Sequence, residues 1–225
     1  MSTPDWSQTQ AILFDLDGTL IDSAPDLGRA ANALRSEQGL APLPLSDYRC
    51  MAGAGGRGML SVAFGMTPDH PDFPRLREEF FDRYEQCIHE QTEVFAQVEE
   101  LIATLEGRAL AWGVVTNKAS RFTSLIVQRL RLFDRAAAVV SGDTTPHAKP
   151  HPEPLLEAAR RLTLPAGRCI YVGDDLRDVQ AGKAAGMGTV AALYGYLGRD
   201  AEATTWGADA AINTPLELLN LLDPA

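Results

Sequence analysis

Basic residues are in short supply: 20 lysines and arginines stand against 30 aspartates and glutamates, a formal charge of -10. Gripping a phosphate backbone takes clustered lysine and arginine, so nucleic acid is not an expected partner. An anionic small substrate stays open, but only beside a local cation that overcomes the field of the whole chain. Cysteine is scarce too. Cys50, Cys87 and Cys169 are odd in number, far apart and in no C-x-x-C spacing, which argues against a disulfide framework and a zinc site and leaves buried, reduced thiols as the expectation. No apolar run approaches the ~18 residues that span a bilayer, so no membrane partner is expected. Met1 to Gln10 carries Asp5 and lacks the basic start and apolar core of a secretory leader, and the chain reads as cytoplasmic. What remains is ample for a buried core: 225 residues, 45% apolar, enough for one large domain or two smaller ones.

The most informative stretch is Ile12-Leu13-Phe14-Asp15-Leu16-Asp17-Gly18-Thr19. A strand-like apolar run stops at a carboxylate, and a second carboxylate follows two places on. Extended chain repeats its side-chain direction every two residues, so Asp15 and Asp17 are expected to face the same space. Adjacent anions repel, which calls for a cation between them or a task for one of them in its protonated form. Gly18 permits a sharp turn, and Thr19 can hold that turn with its hydroxyl.

A strand is expected from Ala11 to Asp15. Ser23, with Asp26 three places on, reads as the cap of a helix carrying Leu27, Ala30, Ala31 and Leu34 and ended by Gly39. Pro42 and Pro44 predict a loop, the glycine-rich Gly53-Ala-Gly55-Gly56-Arg57-Gly58 leads to a helix from about Met59, and a further helix shows Leu76, Phe80, Phe81, Tyr84, Cys87 and Ile88 on one side. Between Ser23 and Glu93 no strand pattern is found, so residues 22–93 are expected to form a small all-helical cap inserted after strand 1. The core, residues 1–21 and 94–225, alternates differently. Strand-like runs at Leu110 to Val115, Ala137 to Val140, Arg168 to Val172, Thr189 to Leu193 and Ala210 to Ile212 are separated by helical stripes such as Val98, Leu101, Ile102, Leu105, then Phe122, Leu125, Ile126, Leu130, then Leu155, Leu156, Ala159, Leu162. That alternation predicts an α/β fold, a Rossmann-like parallel sheet covered by helices on both faces.

Ligands of such sheets bind beyond the carboxyl ends of the strands. Asp15 stands at one such end, Thr116-Asn117 and Gly173-Asp174-Asp175 at two others, and Lys149 in the loop after Val140. The set suits phosphoryl transfer. Asp15 attacks phosphorus to give an aspartyl-phosphate, while Asp17 protonates the leaving oxygen and then takes a proton from the hydrolytic water. Attack of an anion on a phosphate dianion requires Mg2+, expected on the Asp15 carboxylate, the Asp17 carbonyl and Asp174. Asp178 would order metal-bound water or Lys149, with Asp175 beside it in the same supporting layer. Thr116, Asn117 and Lys149 are the expected phosphate-binding groups.

Asp15-x-Asp17-Gly18-Thr19, Thr116, Lys149-Pro150 and Gly173-Asp174-Asp175-x-x-Asp178, in this order, resemble the haloacid dehalogenase-like phosphatases over essentially the whole chain. The resemblance implies that the helical insertion closes over the site and that the partner is a small phosphate ester; a monomer or homodimer is expected. Asp15 to Leu27 looks like phosphoglycolate phosphatases. Trp112 to Lys118, Tyr194-Gly-Tyr196 and Trp206-Gly-Ala-Asp209 are also similar to N-acetylmuramic acid 6-phosphate phosphatases, so 2-phosphoglycolate is the expected substrate with the muramic ester as alternative.

Rival readings are weighed on the same residues. Gly53-x-Gly55-x-x-Gly58 spells a dinucleotide fingerprint, but no strand precedes it; a cap loop in which Gly55 and Arg57 meet a substrate carboxylate fits better. His147 and His151 stand four apart with Pro150 between them, which forbids the helix of a zinc pair and leaves loop residues. Asp22 reads equally as a hinge, a helix-entry or a catalytic group. A phosphonate-cleaving relative needs a cap lysine, and no lysine occurs before Lys118. A dehalogenase has no use for an acid at Asp17. A phosphosugar mutase would use the same two aspartates, and a phospho-receiver switch would also take phosphate on Asp15 beside a threonine and a lysine, without turnover.

Overall fold

The computed structural model describes residues 6–199 and 201–223. Met1 to Gln10, the stretch without a leader pattern, therefore lies partly outside the described residues. The elements run β1 (Ala11–Phe14), β2 (Ile21–Asp22), α1 (Ala24–Glu37), α2 (Leu45–Arg49), α3 (Gly55–Phe64), α4 (Phe73–Cys87), β3 (Glu93–Val94), α5 (Val98–Gly107), β4 (Ala111–Val115), α6 (Ser120–Arg129), β5 (Ala138–Val140), α7 (Glu153–Arg161), β6 (Cys169–Gly173), α8 (Leu176–Ala185), β7 (Gly188–Ala192), β8 (Ala210–Ile212) and α9 (Glu217–Leu222).

Six of the strands form one parallel sheet in the order β5-β4-β1-β6-β7-β8. β1 lies inside it, with Phe14 opposite Val114 on one side and Val172 on the other. A strand buried on both faces should be apolar at every position, and β1 is: Ile12 and Phe14 enter a core with α5, α6 and α9, while Ala11 and Leu13 enter a second core with α7 and α8. The expected α/β architecture is thus present, helices on both faces included. Among the described residues no helix is long and apolar enough to cross a membrane.

β2 and β3 pair antiparallel, Ile21 with Val94 and Asp22 with Glu93, so the chain leaves the sheet and returns to it side by side. Every element between them in sequence, α1 to α4, is helical, and these helices pack through Leu27, Ala31 and Leu34 of α1 and Phe80 and Tyr84 of α4. Strands of two residues carry no periodicity, which is why neither showed as a pattern.

Several local expectations are corrected. Ser23 makes no side-chain cap on α1; its hydroxyl donates to Asp17 Oδ1. Asp26 is buried and accepts from the amides of Gln91 and Thr92 and from the Thr92 hydroxyl, which ties α1 to the returning chain. After Pro44 a short helix, α2, was hidden by the prolines. The glycine-rich stretch is a 3-10 turn at Gly53 and Ala54 followed from Gly55 by the first turn of α3, rather than a loop, with Gly56 and Gly58 buried in packing. Leu156 is exposed on α7, whose buried face is Leu155, Ala158 and Ala159. Cys87 and Cys169 are buried free thiols, but Cys50 is only half-buried.

Candidate active site

The carboxyl end of β1 continues straight into Asp15-Leu16-Asp17, and Gly18 turns the chain with φ +84. A Cβ at Gly18 would sit 2.1 Å from Asp174 Oδ2, and one at Gly195 would sit 2.3 Å from Asp174 Cβ. Two stretches of bare main chain therefore enclose the Asp174 carboxylate. It accepts from the Thr19 hydroxyl at 3.0 Å on Oδ1 and from the Tyr196 amide at 2.7 Å on Oδ2. Thr19 thus spans to another strand end instead of holding its own turn.

Lys149 is the positive centre. Its side chain is 2% exposed, and Nζ lies 2.9 Å from Asp15 Oδ1 and 2.8 Å from Asp178 Oδ1. It also donates to the Val115 carbonyl at 2.9 Å and to the Tyr171 hydroxyl at 2.7 Å. Burial works against the ammonium, yet Asp15 and then Asp178 outweigh it and hold Lys149 above its ordinary value. Asp178 has a second duty. Asp175 caps α8 by accepting from the Arg177 amide, and Asp178 Oδ2 accepts from the Asp175 amide at 3.0 Å, a reciprocal box that locks the acidic loop to the helix.

Asp15 accepts from the Leu16 amide at 2.8 Å on the oxygen that meets Lys149, which leaves Oδ2 without a hydrogen bond among the described residues. Burial raises this carboxyl to about 6; Lys149 opposes the rise, and Asp178 and Asp17 add to it. Burial, and then the charges of Asp15 and Asp178, push Asp174 well above the usual carboxylate range. Ligand oxygens of Asp15, Asp174 and Asp178 all lie within 4.8 Å of one another. Hard oxygen donors gathered with one ammonium among them are a fitting cradle for a hard divalent cation. The Asp17 carboxylate stands apart from this cluster, paired at 2.9 Å with Lys118.

A cavity of about 300 Å³ brings the expected groups together: Asp15, Asp17, Thr116, Asn117, Lys149, Asp175 and Asp178 line it, facing Gly55 and Arg57 on α3 and Phe81 and Tyr84 on α4. Asp174 is buried beneath, 2% exposed. The Thr116 hydroxyl accepts from the Lys118 amide at 3.1 Å, so its own proton is free for a ligand oxygen. Asn117 is placed differently from the expectation. Its side chain clasps the Lys149 backbone, donating to the carbonyl and accepting from the amide at 2.9 Å each, which fixes Lys149. Arg57 is exposed at the rim. Asp22 lies outside the cavity lining: it pairs with Arg49 at 2.9 Å and accepts from the Tyr196 hydroxyl at 3.0 Å, the same hydroxyl that accepts from the Ser23 and Ala24 amides, a tie at the entry to α1. His147 and His151 do lie in a loop, where His147 pairs with Glu153 at 2.9 Å.

Lys118, Tyr171 and Tyr84 were missed. Lys118 follows Thr116 and Asn117 directly, and a lysine just past a strand end was the available signal; Tyr171 and Tyr84 sit in apolar runs where nothing marks a hydroxyl for a polar task.

Sheet and site together define an α/β protein with a cluster of carboxylates gathered at its strand ends. The model of the haloacid dehalogenase-like hydrolases matches residues 12–192, and the chain belongs to that family. It is 41% identical to the N-acetylmuramic acid 6-phosphate phosphatase of Pseudomonas aeruginosa over 96% of each chain. It is 44% identical to the phosphoglycolate phosphatase of Xanthomonas campestris pv. campestris, over 93% of this chain and 94% of that one. Among solved structures, a predicted phosphoglycolate phosphatase of Haemophilus somnus superposes with a TM-score of 0.83 at 23% identity, covering 96% of this chain and 99% of that one, a likeness of fold. Family membership sets the phospho-receiver reading aside.

Proposed function

We propose that this protein is a magnesium-dependent phosphatase that hydrolyses a small organic phosphate monoester, 2-phosphoglycolate, through an aspartyl-phosphate. The observation that carries the reading is the pair of unlike carboxylates on one cavity. Asp15 has one oxygen held by Lys149 and the Leu16 amide and the other unbonded, whereas Asp17 is held apart by Lys118 and the Ser23 hydroxyl.

Asp15 Oδ2 attacks phosphorus, the bond to the leaving oxygen breaks, and that oxygen takes its proton from Asp17. Water then attacks the phosphorus of the aspartyl-phosphate, giving its proton back to Asp17, and inorganic phosphate leaves with Asp15 regenerated. Lys149 and the Thr116 hydroxyl hold the phosphate oxygens through both steps, and Asn117 keeps Lys149 in place. Asp15, Asp174 and the Asp17 carbonyl would hold Mg2+, which when bound neutralises the charge that otherwise keeps a phosphate dianion from a carboxylate. Residues 22–93 serve as the cap that covers the cavity and excludes water, with Arg57 at its rim for the carboxylate of the substrate.

A second reading has its own support. A cavity of about 300 Å³ is roomy for a two-carbon ester, since about 30 Å³ is the share of one water in the liquid, and the relative from Pseudomonas aeruginosa is named for N-acetylmuramic acid 6-phosphate. Comparing kcat/KM for 2-phosphoglycolate, N-acetylmuramic acid 6-phosphate and p-nitrophenyl phosphate with Mg2+ decides. The two-carbon ester should dominate; a dominant muramic ester would move the substrate to the second reading, and no turnover of any of them would end the phosphatase reading.

The shifted carboxyls also predict how the cation binds. Because Asp15 titrates at about 6 instead of 3.8, its ionised form is disfavoured in the folded metal-free protein, so its contribution to stability falls as pH rises from the unfolded value through the folded one. A divalent ion needs that ionised form. The gain in melting temperature from Mg2+ over EDTA should therefore be small near about pH 5 and grow through about pH 7. A gain that does not change with pH would show that the ion binds elsewhere.

A further inference from the structure

The proposed roles use Lys118 only to hold Asp17 apart from the other carboxylates, and they give Tyr84 no task. Lys118 is buried at the ammonium end, 8% exposed in its side chain, and reaches across the cavity to Asp17 Oδ1 at 2.9 Å. Its Nζ lies 4.9 Å from the centre of the Tyr84 ring, within the range in which an aromatic face attracts a cation. Tyr84 itself is 1% exposed, stacked on Phe80 and tilted against Phe122, so its ring has little freedom. Its hydroxyl is buried, and the charged group that acts most on it is the Lys118 ammonium. Asp17 belongs to the β1 loop, Lys118 to the β4 loop and Tyr84 to α4, so three separate segments meet in one row.

We propose that Lys118 is a positioning residue for Asp17, and that the Tyr84 ring of α4 seats the Lys118 ammonium so that the helical layer above the cavity aims the acid–base carboxylate below it. The proposal rests on the reading of Asp17 as the acid that protonates the leaving oxygen. A lysine has a long, flexible stem, and an ammonium held only by one carboxylate oxygen would swing with it. Pinned between ring and carboxylate, it fixes one Asp17 oxygen and, together with the Ser23 hydroxyl on the same atom, turns the other oxygen toward the cavity.

The test uses two leaving groups. An alkoxide needs its proton at departure, whereas p-nitrophenolate leaves readily without one, so misaiming Asp17 should damage the alkyl ester selectively. For Lys118→Met, kcat/KM on 2-phosphoglycolate, or on the muramic ester if that is the better substrate, should fall by about 30- to 100-fold, with less than about five-fold lost on p-nitrophenyl phosphate. Lys118→Arg should recover most of the loss. Tyr84→Phe, which keeps the ring, should lose less than about three-fold, and Tyr84→Leu should approach Lys118→Met, with the double variant no worse than Lys118→Met alone. Equal losses on both esters, a rise in KM with kcat unchanged, or an additive double variant would overturn the proposal. Should Tyr84→Leu fail to fold by circular dichroism, the leaving-group selectivity of Lys118→Met and its rescue by arginine still decide it. Asp17→Asn separates the two levels: if that variant shows no selective loss on the alkyl ester, the acid–base reading has failed, and if it does while Lys118→Met does not, only the positioning proposal has.

Discussion

Asp15→Asn should remove at least about 10⁴-fold of the turnover while leaving the protein folded, and in EDTA at neutral pH it should melt no lower than the parent. The activity loss follows from chemistry: an amide oxygen does not form the acyl-phosphate that splits hydrolysis into two steps. The stability half follows from electrostatics. Asp15 shares a buried cluster with Asp174 and Asp178, and burial already raises its carboxyl to about 6, so its charge is held against a penalty at pH 7 that the neutral amide does not carry. Lys149 keeps its second partner, Asp178, at 2.8 Å. Steady-state kinetics and a melting curve with and without Mg2+ check both halves, and substantial turnover in a folded variant would remove Asp15 as nucleophile.

Lys149→Met should be damaging in both respects. Removing one member of a buried charge pair typically costs about 3–5 kcal/mol, because the partner is left uncompensated, and here two carboxylates lose their counter-charge at once. The Lys149 ammonium also donates to the Val115 carbonyl and the Tyr171 hydroxyl, so four groups lose a contact at once. Turnover should fall by about 10³-fold, the scale of losing a preorganised charge at a transferring group, and the urea midpoint should fall with it. Mg2+ should restore more of the stability than of the activity, since a cation on Asp15 and Asp174 relieves their repulsion without replacing a donor to the phosphate. A variant with parental midpoint and rate would show that Lys149 anchors neither.

How much of this was legible beforehand depended on whether a feature was local. Asp15, Thr116, Lys149 and Asp174 could be placed together because each ends or follows an apolar run, and a parallel sheet delivers all such ends to one edge. The pairings across that edge could not. Thr19 reaching Asp174, Asn117 clasping Lys149, and Ser23 leaving its helix for Asp17 are contacts between segments far apart in sequence or choices between two nearby acceptors, and spacing alone does not rank them. Tyr84 was read as one of a helical stripe, and in packing terms it is; the ammonium over its ring comes from β4, which no pattern within α4 reveals. α2 was lost for a different reason: five residues after two prolines are too few to show a period.

The two boundaries of the cavity differ in what they are made of. Below, behind the carboxylates that line it, Gly18 and Gly195 press bare main chain against the buried Asp174, where a Cβ would fall 2.1 and 2.3 Å from it. Above, α3 and α4 present side chains. A lineage descending from this enzyme can therefore alter the upper helices residue by residue and acquire a taste for a different ester, while the floor admits no gradual change and hands down the same chemistry unaltered.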